Sequence, residues 1–140
     1  MEISKTDAIN LGINPTIRES GNLNGGASIF IASEKAVVKR TKSVIIAKPH
    51  IRMTPDGAIR LNVKDKDKVC VIVKSNRPVI FEDVIVRVNE NYKLSMHIDY
   101  DEANAVGFEK GMVIESILKG KRIICIEEGL LPNLILKNYG

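Results

Sequence analysis

The sequence predicts a mainly β protein with a few short helices, arranged as a small β-barrel capped by helical turns. Two observations predict this class. Short apolar runs of strand length recur along the chain, and three stretches between them begin with a helix-capping residue and end at glycine or asparagine. Many short strands with few helical turns are typical of small barrels.

Three similar stretches are predicted to form the helices: TDAINLGIN (6–14), PDGAIRLNVKDKDKVCVIV (55–73) and DEANAVGFEKGMVIESI (101–117). Thr6 and Thr54 are the predicted N-caps, and Pro55 takes the first helical position, where its missing N–H costs little. The second and third stretches continue through a charged turn into a strand. The residues predicted to end the helices in the left-handed conformation are Gly12, Asn62 and Gly107.

Apolar runs predict the strands at 27–31, 36–38, 44–47, 69–73, 78–80, 84–88, 94–98, 112–117 and 122–126. A helical turn that leads directly into a strand resembles the cradle-loop, double-psi type of barrel. A chain of 140 residues is long enough for one domain with a real core, or for two very small ones, and we assign residues 1–140 to one domain. The tail, 118–140, is predicted to contain a final strand and an amphipathic end.

Composition indicates a soluble globular protein. Hydrophobic residues make up 44% and charged residues 27% of the chain. No apolar run approaches the roughly 18 residues of a membrane span, and the polar start MEISKTDAINLG is unlike a secretory signal. Cys70 and Cys125 stand singly inside apolar runs, which predicts buried core thiols in a reducing compartment. We therefore expect a cytoplasmic protein without a membrane partner.

The basic excess behind the net charge of +4 peaks in EKAVVKRTKSVIIAK (34–48). Such a cluster suits nucleic acid or a phosphorylated small molecule, or it is a solvated loop between strands. The solvated loop is favoured. Aromatic residues make up only 4% of the chain and tryptophan is absent, which leaves few side chains to stack on bases. A nucleic-acid partner is therefore not expected.

The two histidines are candidate metal ligands. His50 and Arg52, in AKPHIRMTP, lie two positions apart in a predicted strand and so face the same way. His97, in YKLSMHIDYDEANA, precedes the third helix as His50 precedes the second. Equivalent ends of equivalent units converge on one rim, so the two imidazoles are expected to lie close together. Imidazole near carboxylate suits zinc, whereas isolated histidines are also ordinary polar residues at strand ends.

Two long segments, AKPHIRMTP and FEDVIVRVNENYKLSMHIDYDEANAVGFEKG, closely resemble the PduL-type phosphotransacylase (phosphate propanoyltransferase) family. The opening EISKTDAINLGINPTIRESGNLNG resembles the same family's middle region. In the family the second motif is R-H-I-H-M-T-P, and M-H-I-D-x-D-E-A-N-A comes later. The likeness is dense from residue 2 to about 117, and residues 118–140 match only loosely.

The resemblance implies an enzyme that interconverts acyl-coenzyme A, propanoyl or acetyl, plus phosphate with acyl phosphate plus coenzyme A. It implies two β-barrel domains, a two-metal zinc site, and a place in bacterial microcompartments such as those of propanediol utilisation. By this likeness His50, His97 and Glu2 are metal ligands. Arg52 and Arg18 are candidates for holding phosphate or coenzyme A, and the catalytic residues stay unassigned.

Departures from the family pattern predict a depleted metal site. The family's N-terminal R-H-V-H-L-S section is absent from this sequence, as is an arginine for phosphate expected just upstream of Glu2. Pro49 stands where the second motif has arginine, and Arg52 stands where it has the second histidine. A guanidinium has no lone pair to give a metal, so Arg52 is expected to bind phosphate or a carboxylate instead.

We therefore expect a truncated phosphotransacylase domain with incomplete zinc binding and low activity of its own. The alternative is a non-catalytic β-barrel module that binds a ligand or partner and keeps the family's shape. A DNA-binding barrel is a third interpretation, supported only by the pI of about 9.1 and the basic cluster. The face left by the absent section is expected to be covered by self-association or by a complementing N-terminal half.

Overall fold

The computed structural model of the chain describes residues 1–112, 114, 116–120, 122–125 and 135–138. The chain forms two compact units, Met1–Lys48 and a second that begins at Pro49. Strands predominate and the helices are short, so the mainly β class is confirmed. None of the described helices is long and apolar enough to span a bilayer.

The first unit contains α1 (Lys5–Asn10), β1 (Ile17–Arg18), β2 (Ala27–Ala32), β3 (Val37–Val44) and β4 (Ile46–Ala47). β1 pairs parallel with β4, and β2 pairs antiparallel with β3 as a hairpin. One buried apolar cluster of this unit comprises Ile3, Ala8 and Val44, with a few partly buried apolar residues around it. Ile45, Ile46 and Ala47 are buried as well.

The basic segment 34–48 is largely a strand and not the solvated loop that the sequence favours. β3 runs through Lys39 and Arg40 to Val44, and most of its side chains are exposed. Lys39 lies opposite Phe30 of β2, and its Nζ lies 5.6 Å from the centre of that ring. A strand whose two faces both meet solvent needs no apolar alternation, which is why the pattern predicted strand at 36–38 and from residue 44 but not between them.

The second unit contains β5 (His50–Met53), α2 (Pro55–Arg60), β6 (Lys68–Val73), β7 (Val79–Val88), β8 (Ser95–Ile98), α3 (Tyr100–Val106), β9 (Ser116–Lys119), β10 (Arg122–Cys125) and β11 (Ile135–Asn138). Its strands hydrogen-bond in the order β10-β9-β6-β7-β5-β8-β11. β5 lies between β7, to which it is parallel, and β8, to which it is antiparallel. Over the described strands the order does not close on itself, so the double-psi barrel type stays a prediction.

Three predictions about the second unit are wrong. β7 is one continuous strand where two were predicted, because pairing with β6 and β5 carries the ladder past Asp83, whose φ is +58°. Cys70 is partly exposed, because Val69 and Val71 take the buried face of β6. The strand predicted at 112–117 begins only at Ser116. Residues 113, 115 and 126, much of the predicted amphipathic end, and the side chain of Cys125 lie outside the described part of the chain.

Of the two predicted helix caps one is confirmed and the other is wrong, and the residues after the helices take the left-handed conformation as predicted. Thr54 caps α2, and Pro55 opens its first turn. α1 is capped by Ser4 and not by Thr6. Ser4 Oγ accepts the N–H of Asp7 while the Asp7 carboxylate accepts the N–H of Ser4, a reciprocal pair that fixes the start of the helix. Left-handed φ values of +66°, +52° and +64° occur at Gly12, Asn62 and Gly107.

The start of α3 contains a carboxyl group whose protonation is coupled to folding. Asp99 caps α3, and Glu102 Oε2 accepts the N–H of Asp99 at 2.9 Å. Burial raises the pKa of Glu102 from 4.5 to about 7. As the pH rises, the unfolded chain releases this proton before the folded chain does. The free energy of unfolding therefore falls between pH 4.5 and about 7 on account of this group.

We predict that Glu102→Gln removes this fall, because the amide oxygen still accepts the Asp99 N–H and carries no charge to bury. Urea unfolding at about pH 5 and about pH 8 measures the change in the free energy of unfolding between the two pH values. The variant should gain stability relative to the parent at the higher pH. Glu109→Gln, at an exposed position, is the matched control. The same pH dependence in Glu102→Gln and the parent would contradict the prediction.

Candidate functional site

A candidate site residue precedes each helix at the same place. The residues two positions before the caps Ser4, Thr54 and Asp99 are Glu2, Arg52 and His97. We call this place the pre-cap position. The residue that follows it is buried in each case, and successive strand residues face opposite ways. The pre-cap side chain therefore points away from the core, and all three are partly exposed.

β5 and β8 bring the two histidines together, as the sequence predicts. His50 lies directly opposite His97 in the antiparallel ladder. The rings stack with their centres 5.1 Å apart and their planes 9° from parallel. His50 is only 1% exposed, whereas His97 is partly exposed, and its Nε2 lies 3.1 Å from Oγ of Ser95. Two imidazoles thus share one face of the sheet.

The surroundings of His97 keep its ring neutral. Burial, and after it the positive charge of Arg52 and the electrostatic influence of the neighbouring His50 ring, lower the pKa of His97 to about 4. Lys137 and Arg87 contribute in the same direction. At neutral pH the imidazole therefore keeps a lone pair. The same cations make this part of the surface attractive to an anion.

Two guanidinium groups lie beside the histidines. Arg52 and Arg87 are opposite each other in the parallel ladder of β5 and β7. Both lie over the ring of Tyr92, with Cζ 5.3 Å and 5.8 Å from its centre. Nε of Arg52 is buried and has no hydrogen-bond partner among the described residues, so an anionic oxygen would satisfy it. We call His50, His97, Arg52, Arg87 and Tyr92 the His–Arg cluster.

Sequence reasoning missed Arg87 and Tyr92. Arg87 meets Arg52 only because β7 pairs parallel with β5, and β6 separates these strands along the chain. Such a register depends on distant parts of the sequence. The one available signal was an arginine inside the apolar run VIVRV, since a charged residue at such a place normally has a partner.

The other two predicted site residues, Glu2 and Arg18, lie in the first unit and make local contacts there. The Glu2 carboxylate accepts the N–H of Gly21 at 2.9 Å. Arg18 donates from Nε to the carbonyl of Asn24 at 3.0 Å and from Nη1 to the carbonyl of Ile17 at 2.9 Å. Their assignments to metal and to phosphate stay predictions.

The donors around His50 and His97 do not fit a zinc ion. In the described part of the second unit, no third His, Cys, Asp or Glu joins the pair at a spacing suited to a metal. Zinc sites usually have at least three protein ligands. Arg52 occupies the pre-cap position, and its guanidinium has no lone pair to give. These residues suit an anion better than a metal cation.

Comparisons with known proteins agree on one family. The family model for phosphate propanoyltransferase matches residues 1–109. A phosphate propanoyltransferase of Sebaldella termitidis is 52% identical over 79% of this chain and 53% of its own length. Those of Alkaliphilus metalliredigens and Thermotoga maritima are 51% and 47% identical, over 79% and 81% of this chain and 52% and 55% of their own lengths. The chain spans about half the length of the curated relatives it matches. At this level of identity, the chain belongs to the phosphate propanoyltransferase family.

Proposed function

We propose that the chain takes part in a phosphate acyltransferase reaction that interconverts acyl-coenzyme A plus phosphate with acyl phosphate plus coenzyme A. Membership of the family supports the reaction class, and propanoyl- or acetyl-coenzyme A is the proposed substrate. A phosphate oxygen attacks the thioester carbonyl carbon, a C–O bond replaces the C–S bond, and the thiolate of coenzyme A leaves. The reaction brings anions together, so it depends on preorganised positive charge.

The observation that carries this proposal is the pairing of Arg52 with Arg87 over Tyr92, beside the neutral imidazole of His97. Two planar guanidinium groups offer several N–H donors to the oxygens of one phosphate. We assign them to bind inorganic phosphate or a phosphate group of coenzyme A. The bond-making step is not assigned to a residue of this chain.

We propose further that the chain supplies only part of a complete site. It spans about half the length of its relatives, and His50 and His97 lack a third metal donor in the described residues of their unit. At most one zinc ion is proposed to bind, weakly, at these two imidazoles. The alternative, a module that binds an anion or a partner without turnover, is favoured by the guanidinium of Arg52 at the pre-cap position.

Calorimetric titration with coenzyme A and with inorganic phosphate tests the anion site. We expect the parent chain to bind, and Arg52→Gln or Arg87→Gln each to weaken binding by about tenfold or more, because a charge-assisted hydrogen bond contributes about 1.5–3 kcal/mol. Arg60→Gln removes the same charge from an exposed position in the last turn of α2 and is the matched control. An absence of binding, or an equal effect of all three substitutions, would overturn the proposal.

A further inference from the structure

Two like charges lie side by side in the His–Arg cluster. Arg52 and Arg87 are opposite each other in the parallel ladder, so their side chains leave the same face of the sheet. Like charges directly opposite each other on neighbouring strands are destabilising. Among the described residues, no carboxylate forms an ion pair with either guanidinium group. Another contact therefore offsets the repulsion between them.

The order of the strands brings Tyr92 to the two arginines. β5 lies between β7 and β8, so the connection from Val88, at the end of β7, to Ser95, at the start of β8, passes the end of β5. The N–H of Asn89 donates to the carbonyl of Met53, the last residue of β5, at 3.0 Å. The N–H of Tyr92 donates in turn to the carbonyl of Asn89 at 3.1 Å. These bonds fix the partly buried Tyr92 beside the end of β5.

The ring of Tyr92 attracts both cations and leaves their hydrogen-bond donors available. Cζ of Arg52 and Cζ of Arg87 lie 5.3 Å and 5.8 Å from the centre of the ring, whose face carries partial negative charge. A carboxylate in the same place would accept N–H groups from the guanidiniums, whereas the face of a ring does not. Nε of Arg52 is buried without a hydrogen-bond partner among the described residues. The arrangement thus concentrates positive charge and keeps donors ready for a ligand.

We propose that Tyr92 is the positioning residue of the His–Arg cluster. Its ring holds Arg52 and Arg87 side by side, so that both guanidinium groups bind the same anion. This role rests on the anion binding proposed above for the cluster. The ring, and not the hydroxyl group, performs it, because the attraction to a cation comes from the face of the ring.

Calorimetric titration with inorganic phosphate tests this role. Tyr92→Leu keeps an apolar side chain and removes the ring, and it is expected to weaken phosphate binding about fivefold or more. Tyr92→Phe keeps the ring and is expected to bind phosphate as the parent chain does. Phe30→Leu removes the ring that faces Lys39 in the first unit, so it is the matched control and should leave binding unchanged. Circular dichroism checks that each variant folds.

The Nε–H signals of the two arginines in the isotope-labelled chain without phosphate provide a measurement that is independent of binding. Arg52→Gln and Arg87→Gln assign these signals. Both signals should be shifted by the ring current in the parent and in Tyr92→Phe, and both should lose that shift in Tyr92→Leu. The parent spectrum alone tests the contact if Tyr92→Leu does not fold.

Three results would overturn the positioning role alone. These are arginine signals without a ring-current shift in the parent, a Tyr92→Leu variant that binds phosphate like the parent, and a Tyr92→Phe variant that binds as weakly as Tyr92→Leu. A parent chain that binds no phosphate would instead overturn the proposed anion site, and the role of Tyr92 with it.

Discussion

The purified chain is expected to show little or no phosphotransacylase activity, and Arg52→His alone is expected not to restore it. Loss of one preorganised stabiliser of developing charge typically lowers the rate about a hundred- to a thousandfold. Here Arg52 stands where the resemblance places a histidine, and the chain spans only about half the length of its relatives. Several groups that would stabilise the transition state are therefore expected to be missing, and their effects on the rate should multiply, even though the His–Arg cluster is suited to hold an anion.

The decisive assay follows release of coenzyme A from acetyl- or propanoyl-coenzyme A with phosphate, with zinc or cobalt supplied. The full-length Sebaldella termitidis relative serves as the positive control. Robust turnover by the unmodified chain would show that the residues responsible for the chemistry have been misassigned. Turnover that appears only when the remaining part of the relative is added in trans would identify this chain as half of a split enzyme.

Arg52→His is expected to tighten zinc binding by about tenfold or more, although activity stays low. The new imidazole would lie two residues from His50 on the same face of β5 and close to His97, so that three nitrogen donors meet. The substitution also removes a charge that lowers the pKa of His97 and repels a metal cation.

Arg52→Gln separates these two effects, because it removes the charge without adding an imidazole. Competition with a chromophoric chelator measures the zinc affinity of the three proteins, and the visible spectrum of bound cobalt reports the ligand geometry. If glutamine tightens binding as much as histidine does, the new imidazole is not a ligand. Two tightly held zinc ions in the parent chain would contradict the incomplete donor set.

Local features of the fold were predictable, and features that depend on distant pairing were not. The cap of α2 and the left-handed residues after α2 and α3 follow from interactions within a few residues, so the sequence predicts them. The cap of α3, Asp99, was not predicted. The error at Thr6 arose because Ser4, two residues earlier, has Asp7 at the spacing of a reciprocal cap. Only the ends of β3 were predicted, because pairing with β2 and not its own periodicity holds its middle in a sheet.

The candidate site shows the same division. The meeting of His50 and His97 was predicted, but for the wrong reason, because Arg52 and not His50 is the equivalent of His97. The two rings meet because the antiparallel register of β5 and β8 sets His50 opposite His97. The second guanidinium, that of Arg87, was not predictable. Arg87 lies opposite Arg52 because β5 and β7, which are not consecutive strands, pair in parallel. The sequence therefore predicted one cation beside the histidines, and the pairing of β5 with β7 added the second.

The pre-cap position has a consequence for how this scaffold changes over evolutionary time. Each strand–cap–helix motif is held by its cap and by buried residues on the opposite face of the strand, and neither depends on which side chain occupies the pre-cap position. One backbone frame already accepts a carboxylate at Glu2, a guanidinium at Arg52 and an imidazole at His97. Substituting the residue at the pre-cap position is therefore a direct route to designed binding sites on an unchanged backbone.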